Sequence, residues 1–223
     1  MKPAVGDAAI LRVSGVTHRF IAGGVREVSF DLLPCQVHAL MGASGSGKTT
    51  LFRVIRGLEP PERGAVSIGG QRIDGLSRKQ GAEMRFRMVG AVNQHHDLLP
   101  ELNVVENVEL PLMFDRSTAR HARAHALDAL DLVGIVDYAQ RRPATLSGGE
   151  LQRVSVARSL VATETVLVLA DEPTASLDRE SALTVFDALR RAAEVRNAGC
   201  LIATHDPFIA ERCDVIHDIS SAS

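Results

Sequence analysis

The chain has 223 residues, 45% of them hydrophobic, and a net charge of −2 from 27 acidic residues against 25 Lys and Arg. That balance gives no support for a nucleic-acid surface, and no apolar run approaches the ~20 residues of a membrane span. Its length allows one large domain or two small ones, and three cysteines without metal spacing (Cys35, Cys200 and Cys213) read as buried or free thiols in a reducing compartment.

Residues 10–32 read as strands, with 25–32 alternating imperfectly at Val25, Val28, Phe30 and Leu32. A short apolar run, 37–40, ends in a glycine-rich turn, and 50–58 follows with helical spacing. Residues 65–73 read as a hairpin around Gly69-Gly70, and 88–94 as a buried strand. The alanine-rich stretch 117–133 predicts a helix stopped by Gly134, and a second short helix precedes Pro143. A third opens at 146–151, "LSGGEL", where Ser147 and Glu150 have capping-box spacing. Two glycines fill its first turn, where glycine is a poor helix former. Bare N–H groups at a helix start favour an anion, so the stretch looks built to receive one.

"TVLVLADEP" predicts a strand buried on both faces. Residues 178–195 predict a helix starting at Asp178, with Gly199 ending the segment. Residues 200–205 predict a strand, and Asp206-Pro207 a helix start with Asp206 as N-cap. Strands alternating with helices in the second half, after a strand-rich start, make an α/β chain with an antiparallel appendage and a helical insertion. The N-terminus shows no basic segment followed by an apolar one, so no signal peptide is expected.

"GASGSGKT", 42–49, matches G-x-x-x-x-G-K-[ST] between a strand and a helix. The glycines let backbone N–H groups turn inward around phosphates, Lys48 supplies a point charge, and the Thr49 hydroxyl can ligate Mg²⁺. Lys48 stands out because the chain has only three lysines beside twenty-two arginines. Chemistry in such a sheet belongs at the carboxyl ends of its strands. Three further strands end in reactive groups: Asp171-Glu172, Gln94 and His205. Asp171 suits Mg²⁺, Glu172 can orient or deprotonate water, Gln94 can reach metal and water, and His205 can donate to a γ-phosphate.

Along nearly its full length the chain resembles the ATP-binding subunit of an ABC transporter. "GASGSGKT" is similar to the Walker A motif, "LSGGELQR" to the signature motif and "VLVLADE" to Walker B, with Gln94 at the Q-loop, "SLD" (176–178) at the D-loop and His205 at the switch histidine. Ser147 lies 24 residues before Asp171. The implied fold is α/β: a P-loop NTPase (RecA-like) core over 1–223 with an antiparallel β subdomain and an α-helical signature subdomain inserted at about 95–160.

The resemblance implies an ATPase that uses ATP and Mg²⁺. It implies nucleotide contacts from Phe20, in place of the usual stacking tyrosine, and from Gly42, Ala43, Ser44, Gly45, Ser46, Gly47, Lys48, Thr49 and Thr50. Thr49, Gln94 and Asp171 would serve the metal, and Glu172, His205 and Gln94 catalysis. Two copies would dimerise head to tail, Ser147, Gly148, Gly149 and Glu150 facing the partner's nucleotide and Asp178 serving communication between copies. The implied partners are a second such subunit, in a homodimer, and an integral membrane permease, at the cytoplasmic face of a bacterial inner membrane.

Residues 96–114 further resemble the lipoprotein-release, macrolide-export and cell-division subgroup, with Asn103 replacing the usual threonine. Transport and a signalling or mechanical role both remain open. The pair His95-His96 reads as a permease contact or a plain loop. His121 and His125 read as an exposed helix face rather than a metal site.

Overall fold

The computed structural model describes residues 9–20, 23–43, 45–114 and 116–219. Two ten-residue strands, β1 (Leu11–Phe20) and β2 (Gly23–Leu32), pair antiparallel with Leu11 opposite Leu32. Their apolar side chains face inward, while Arg12 and Asp31, opposite one another on the outer face, form a salt bridge of 2.9 Å. The imperfect alternation of 25–32 has a local cause. Glu27 adopts φ 52 and its N–H is held by the Thr17 hydroxyl at 3.0 Å, a bulge where the register shifts between the Val16–Val28 and His18–Val25 pairs. The extra residue puts Val25 and Val28, three apart, on the same buried side.

β3 (Val37–Met41) is buried and runs into the glycine-rich turn, from which α1 (Lys48–Ile55) departs. β4 (Arg63–Ile68) and β5 (Gln71–Arg72) form the expected hairpin around Gly69 and Gly70, and complete an antiparallel sheet of order β2-β1-β4-β5. Then follow α2 (Arg78–Met88), β6 (Val89–Val92) and α3 (Val104–Glu109).

The predicted helix over 117–133 is instead two, α4 (Arg116–Ala119) and α5 (Ala122–Leu132); Gly134, at φ 71, stands just past the second as expected. The short helix before Pro143 is a 3₁₀ turn, Val136–Tyr138. α6 (Gly148–Ser159), β7 (Leu167–Asp171), α7 (Arg179–Arg196), β8 (Gly199–Thr204), α8 (Pro207–Ala210) and β9 (Val215–Asp218) complete the chain.

α7 ends differently from expectation. Asn197 takes the left-handed cap position with φ 52, a conformation asparagine tolerates, and Gly199 begins β8. Gly199 is small for packing: a Cβ there would lie 2.8 Å from Leu32 Cδ2.

The second sheet has the order β6-β7-β8-β3-β9, with every pair parallel. Successive residues of β7 and β8 enter different cores, as a period of two requires. Val168, Ala170, Cys200 and Ile202 pack with α3, α5, α6 and α7. Leu167, Leu169, Leu201 and Ala203 pack with α1 and the antiparallel sheet. Covered on both faces, the parallel strands offer chemistry only at their ends.

Candidate functional site

The carboxyl ends of β3, β7 and β8 meet above the start of α1. The turn after β3 closes with the N–H of Ser46 donating to the Ala43 carbonyl at 3.1 Å. Gly47, the N-cap of α1, has φ 95 and provides no side-chain cap, so among the described residues the first N–H groups of the helix stay bare. A Cβ at Gly42 would lie 2.3 Å from Ser46 Oγ. Among the described residues that hydroxyl oxygen is buried without a hydrogen-bond partner. A cradle lined by bare N–H groups and an orphaned hydroxyl fits a phosphate chain. Lys48 is buried and its Nζ donates to the carbonyls of Gly42 (2.6 Å) and Ala43 (3.2 Å). Ser44 and the side chain of Phe20 lie outside the described residues; Thr50 is half-buried on α1.

The Thr49 hydroxyl donates to Asp171 Oδ2 at 3.1 Å. Two hard oxygen donors side by side, below a phosphate cradle, fit Mg²⁺. Burial pushes the Asp171 carboxyl above its usual range, and neighbouring Glu172 adds to this; the Thr49 bond and the charges of Lys48 and Arg56 oppose it. Arg56 shares a cavity of about 170 Å³ with Thr49, Asn93 and Asp171. The phosphate motif ends before Arg56, so nothing local in the sequence marked it.

Glu172 follows Asp171 with φ 47, and its N–H donates to the Ala203 carbonyl at 2.9 Å. Oε1 lies 3.6 Å from Lys48 Nζ, and both carboxylate oxygens lie 3.0 Å from His205 Nδ1. The folded chain therefore brings Lys48, Thr49, Asp171, Glu172 and His205 together from three strand ends. Gln94 stands apart. It is exposed two residues beyond β6, and among the described residues no hydrogen bond joins it to Thr49, Asp171 or Glu172.

The signature stretch is a helix start with a full capping box. Ser147 accepts from the Glu150 N–H (3.4 Å), and Glu150 Oε2 accepts from the Ser147 N–H (2.7 Å) and hydroxyl (2.9 Å). The Ser147 N–H bond is the main reason the Glu150 carboxyl lies below its usual range. Gly149 has an in-chain reason as well: a Cβ there would lie 3.1 Å from Ser181 Cβ, where α6 passes the start of α7. Asp178 is the N-cap of α7, accepting from the Ser181 N–H at 2.9 Å and hydroxyl at 2.8 Å. Asn103, which replaces the expected threonine, caps α3 in a capping box with Glu106.

The remaining polar features are modest. His95 is exposed and His96 half-buried. The rings of His121 and His125 stack at 6.3 Å, and no group of three metal-binding side chains exists among the described residues. Among the same residues no helix is long and apolar enough to cross a membrane.

The family model for ABC transporters matches residues 25–175. This chain belongs to the ABC transporter family. It is 43% identical over 188 residues to the lipoprotein-releasing system ATP-binding protein LolD of Bordetella pertussis, covering 84% of this chain and 81% of that one. The LolD of Granulibacter bethesdensis is 43% identical over 209 residues, 92% and 91% of the two chains. Among solved structures, the ATP-binding cassette MJ0796, a dimer bound to ADP and Pi, superposes with a TM-score of 0.77 at 28% identity over 94% of this chain and 95% of that one. Clostridium perfringens CbiO1, part of the transporter complex CbiONQ, gives 0.85 at 27% identity over 95% and 86%. The chain is thus an ABC ATPase: it binds and hydrolyses ATP as the nucleotide-binding subunit of a transporter with a membrane partner.

Proposed function

We propose that two copies of this chain close head to tail around two ATP molecules at the cytoplasmic face of a bacterial inner membrane and drive a separate permease of the lipoprotein-release type. The observation that carries the reading is the meeting of Lys48, Thr49, Asp171, Glu172 and His205 above the bare N-terminus of α1. The resemblance to LolD supports the partner class, and the dimeric cassette supports the assembly.

In this reading the N–H groups of the turn and of α1 receive the β- and γ-phosphates. Lys48 gives up its two carbonyl bonds for them. Thr49 and Asp171 would hold Mg²⁺, which when bound neutralises charge developing on the phosphates. Glu172 orients or deprotonates the attacking water, and His205 fixes the Glu172 carboxylate and can donate toward the γ-phosphate. Gln94 moves toward the metal and water on closure. Phe20 stacks on the base, Gly42 through Thr50 enclose the phosphates, and Asp178 sits at the dimer seam.

The Ser147 hydroxyl and the first turn of α6 serve the partner's nucleotide. For that, Ser147 must redirect the hydroxyl now donated to Glu150.

Affinity capture from native membranes tests the partner. The expected result is co-purification of an integral membrane protein with a large extracytoplasmic domain, and stimulation of ATP turnover by it. Capture of no membrane protein, or of a permease with a different architecture, would overturn the proposal.

A further inference from the structure

β1 outruns one of its neighbours. β4 pairs with it only as far as Thr17 and Arg63, while β1 continues through His18 and Arg19 to Phe20. β2 follows it on the other side to the Phe20–Gly23 pair. The end of β1 therefore has a strand on one side only among the described residues, and a half-paired strand end is ordinarily free to fray.

The segment that returns from α1 to β4, residues 56–62, covers that open side. The Glu62 N–H donates to the Thr17 carbonyl at 2.9 Å. Glu62 Oε1 accepts from the Arg19 N–H at 3.0 Å. A carboxylate takes the place of a strand carbonyl there, with the added strength of a charged acceptor. Between these two bonds, His18 Nε2 lies 3.4 Å from Glu59 Oε2. Glu59 Oε1 accepts from Arg53 Nε on α1 at 2.7 Å. Glu59 is thereby shared between the helix that starts at the phosphate turn and the strand that ends at Phe20.

Pro60 and Pro61 separate the two glutamates. Each proline fixes its own φ and restricts the residue before it, so stiff backbone sets the spacing of the two carboxylates. Glu62, Arg19 and Arg53 are exposed, and contacts of exposed charged groups contribute little to stability. What distinguishes these contacts is their target: Thr17, His18 and Arg19, the three residues before Phe20.

We propose that Glu59 and Glu62 are positioning residues that set the end of β1 against the phosphate turn, so that one nucleotide meets Phe20 with its base and Lys48 with its phosphates. The inference rests on the base-stacking role given above to Phe20. A ligand that bridges two elements gains affinity from both only where their separation is held beforehand. Here the 56–62 segment holds it, from the far end of the helix whose first turn faces the phosphates.

Calorimetric titration of the full chain with Mg²⁺ and ADP, which the protein does not turn over, tests this. Phe20→Ala should weaken binding about 5-fold or more, the loss of one base–aromatic stack. Glu59→Ala and Glu62→Ala leave the ring and the phosphate turn in place, and should each weaken binding about 3-fold or more by misplacing the ring. Glu62→Gln keeps an oxygen for the Arg19 N–H and should stay within about 2-fold of wild type. The deciding comparison is Phe20→Ala combined with Glu62→Ala. With no ring left to position, the double variant should bind like Phe20→Ala alone. A merely structural role would make the two losses multiply, and that result overturns the proposal. If Phe20→Ala weakens binding and neither glutamate variant does, the role of Phe20 stands and the positioning is wrong. If Phe20→Ala binds like wild type, the role of Phe20 is wrong and the positioning falls with it.

Discussion

Both carboxylate oxygens of Glu172 lie 3.0 Å from Nδ1 of His205, while Oε1 also lies 3.6 Å from the Lys48 ammonium. Glu172 reaches this position with a left-handed backbone, φ 47. A non-glycine residue held there costs on the order of 1 kcal/mol or more, and such strain gathers at functional sites. Glu172→Gln preserves size and backbone and removes only the charge. It should bind ATP normally, accumulate as an ATP-locked dimer on size exclusion, and hydrolyse about 10²–10⁴-fold more slowly, the range for losing a general base. Near-normal turnover would remove Glu172 from its role.

Asp171 is a poor structural choice, and in the proposed function its carboxylate is kept for Mg²⁺. Burial holds its carboxyl above the usual range, so the folded state binds more protons than the unfolded one over that interval, and ionised Asp171 lowers stability as pH rises. Asp171→Asn keeps an oxygen that can accept from Thr49. Without nucleotide or metal it should melt above wild type at pH 7.5, while Mg²⁺-dependent turnover disappears. A lower melting midpoint together with retained Mg²⁺-dependent turnover would refute both halves.

β9 is joined to β3 by a histidine pair. His38 is buried, its Nδ1 3.0 Å from His217 Nε2 and its Nε2 3.0 Å from Gln36 Oε1. Burial, assisted by His217 and opposed by Asp214, lowers the His38 pKa to about 4 from 6.5. Burial lowers that of His217 too. The unfolded chain therefore binds more protons in this window, and stability present above pH 6.5 is lost as pH falls toward about 4. Thermal melts across that window should show His38→Gln losing less than wild type. Parallel curves would show that His38 carries none of the acid sensitivity.

The phosphate turn, β7, β8 and the start of α6 were legible because each is local: a motif, a continuous apolar run or a capping box. α2 passed unread because only Gly81 and Met84 of its eleven residues are buried, which leaves no apolar period. Its readable signal was the Ser77–Gln80 capping box. β9 was missed because it is short, with its burial weak throughout. The end of α7 was misplaced because asparagine can replace glycine in a left-handed cap.

The hydrogen bonds between residues 93–97 and α6 were invisible for a different reason. Their partners lie 56 to 62 residues apart, and only folding brings them together.

The most direct measurement of the composite-site arrangement is ATP turnover by a mixed dimer. Lys48→Ala removes a buried charge from the phosphate turn and should weaken ATP binding in its own chain. Ser147→Arg should spare ATP binding by the monomer and disable the signature it presents to a partner. Combined in one heterodimer, the two lesions fall in a single composite site if the signature acts across the interface, and the other site keeps wild-type residues throughout. The predicted result is turnover approaching that of a wild-type/Lys48→Ala heterodimer. Turnover near zero in confirmed heterodimers, beside an active control, would place Ser147 at its own chain's nucleotide and contradict the head-to-tail arrangement.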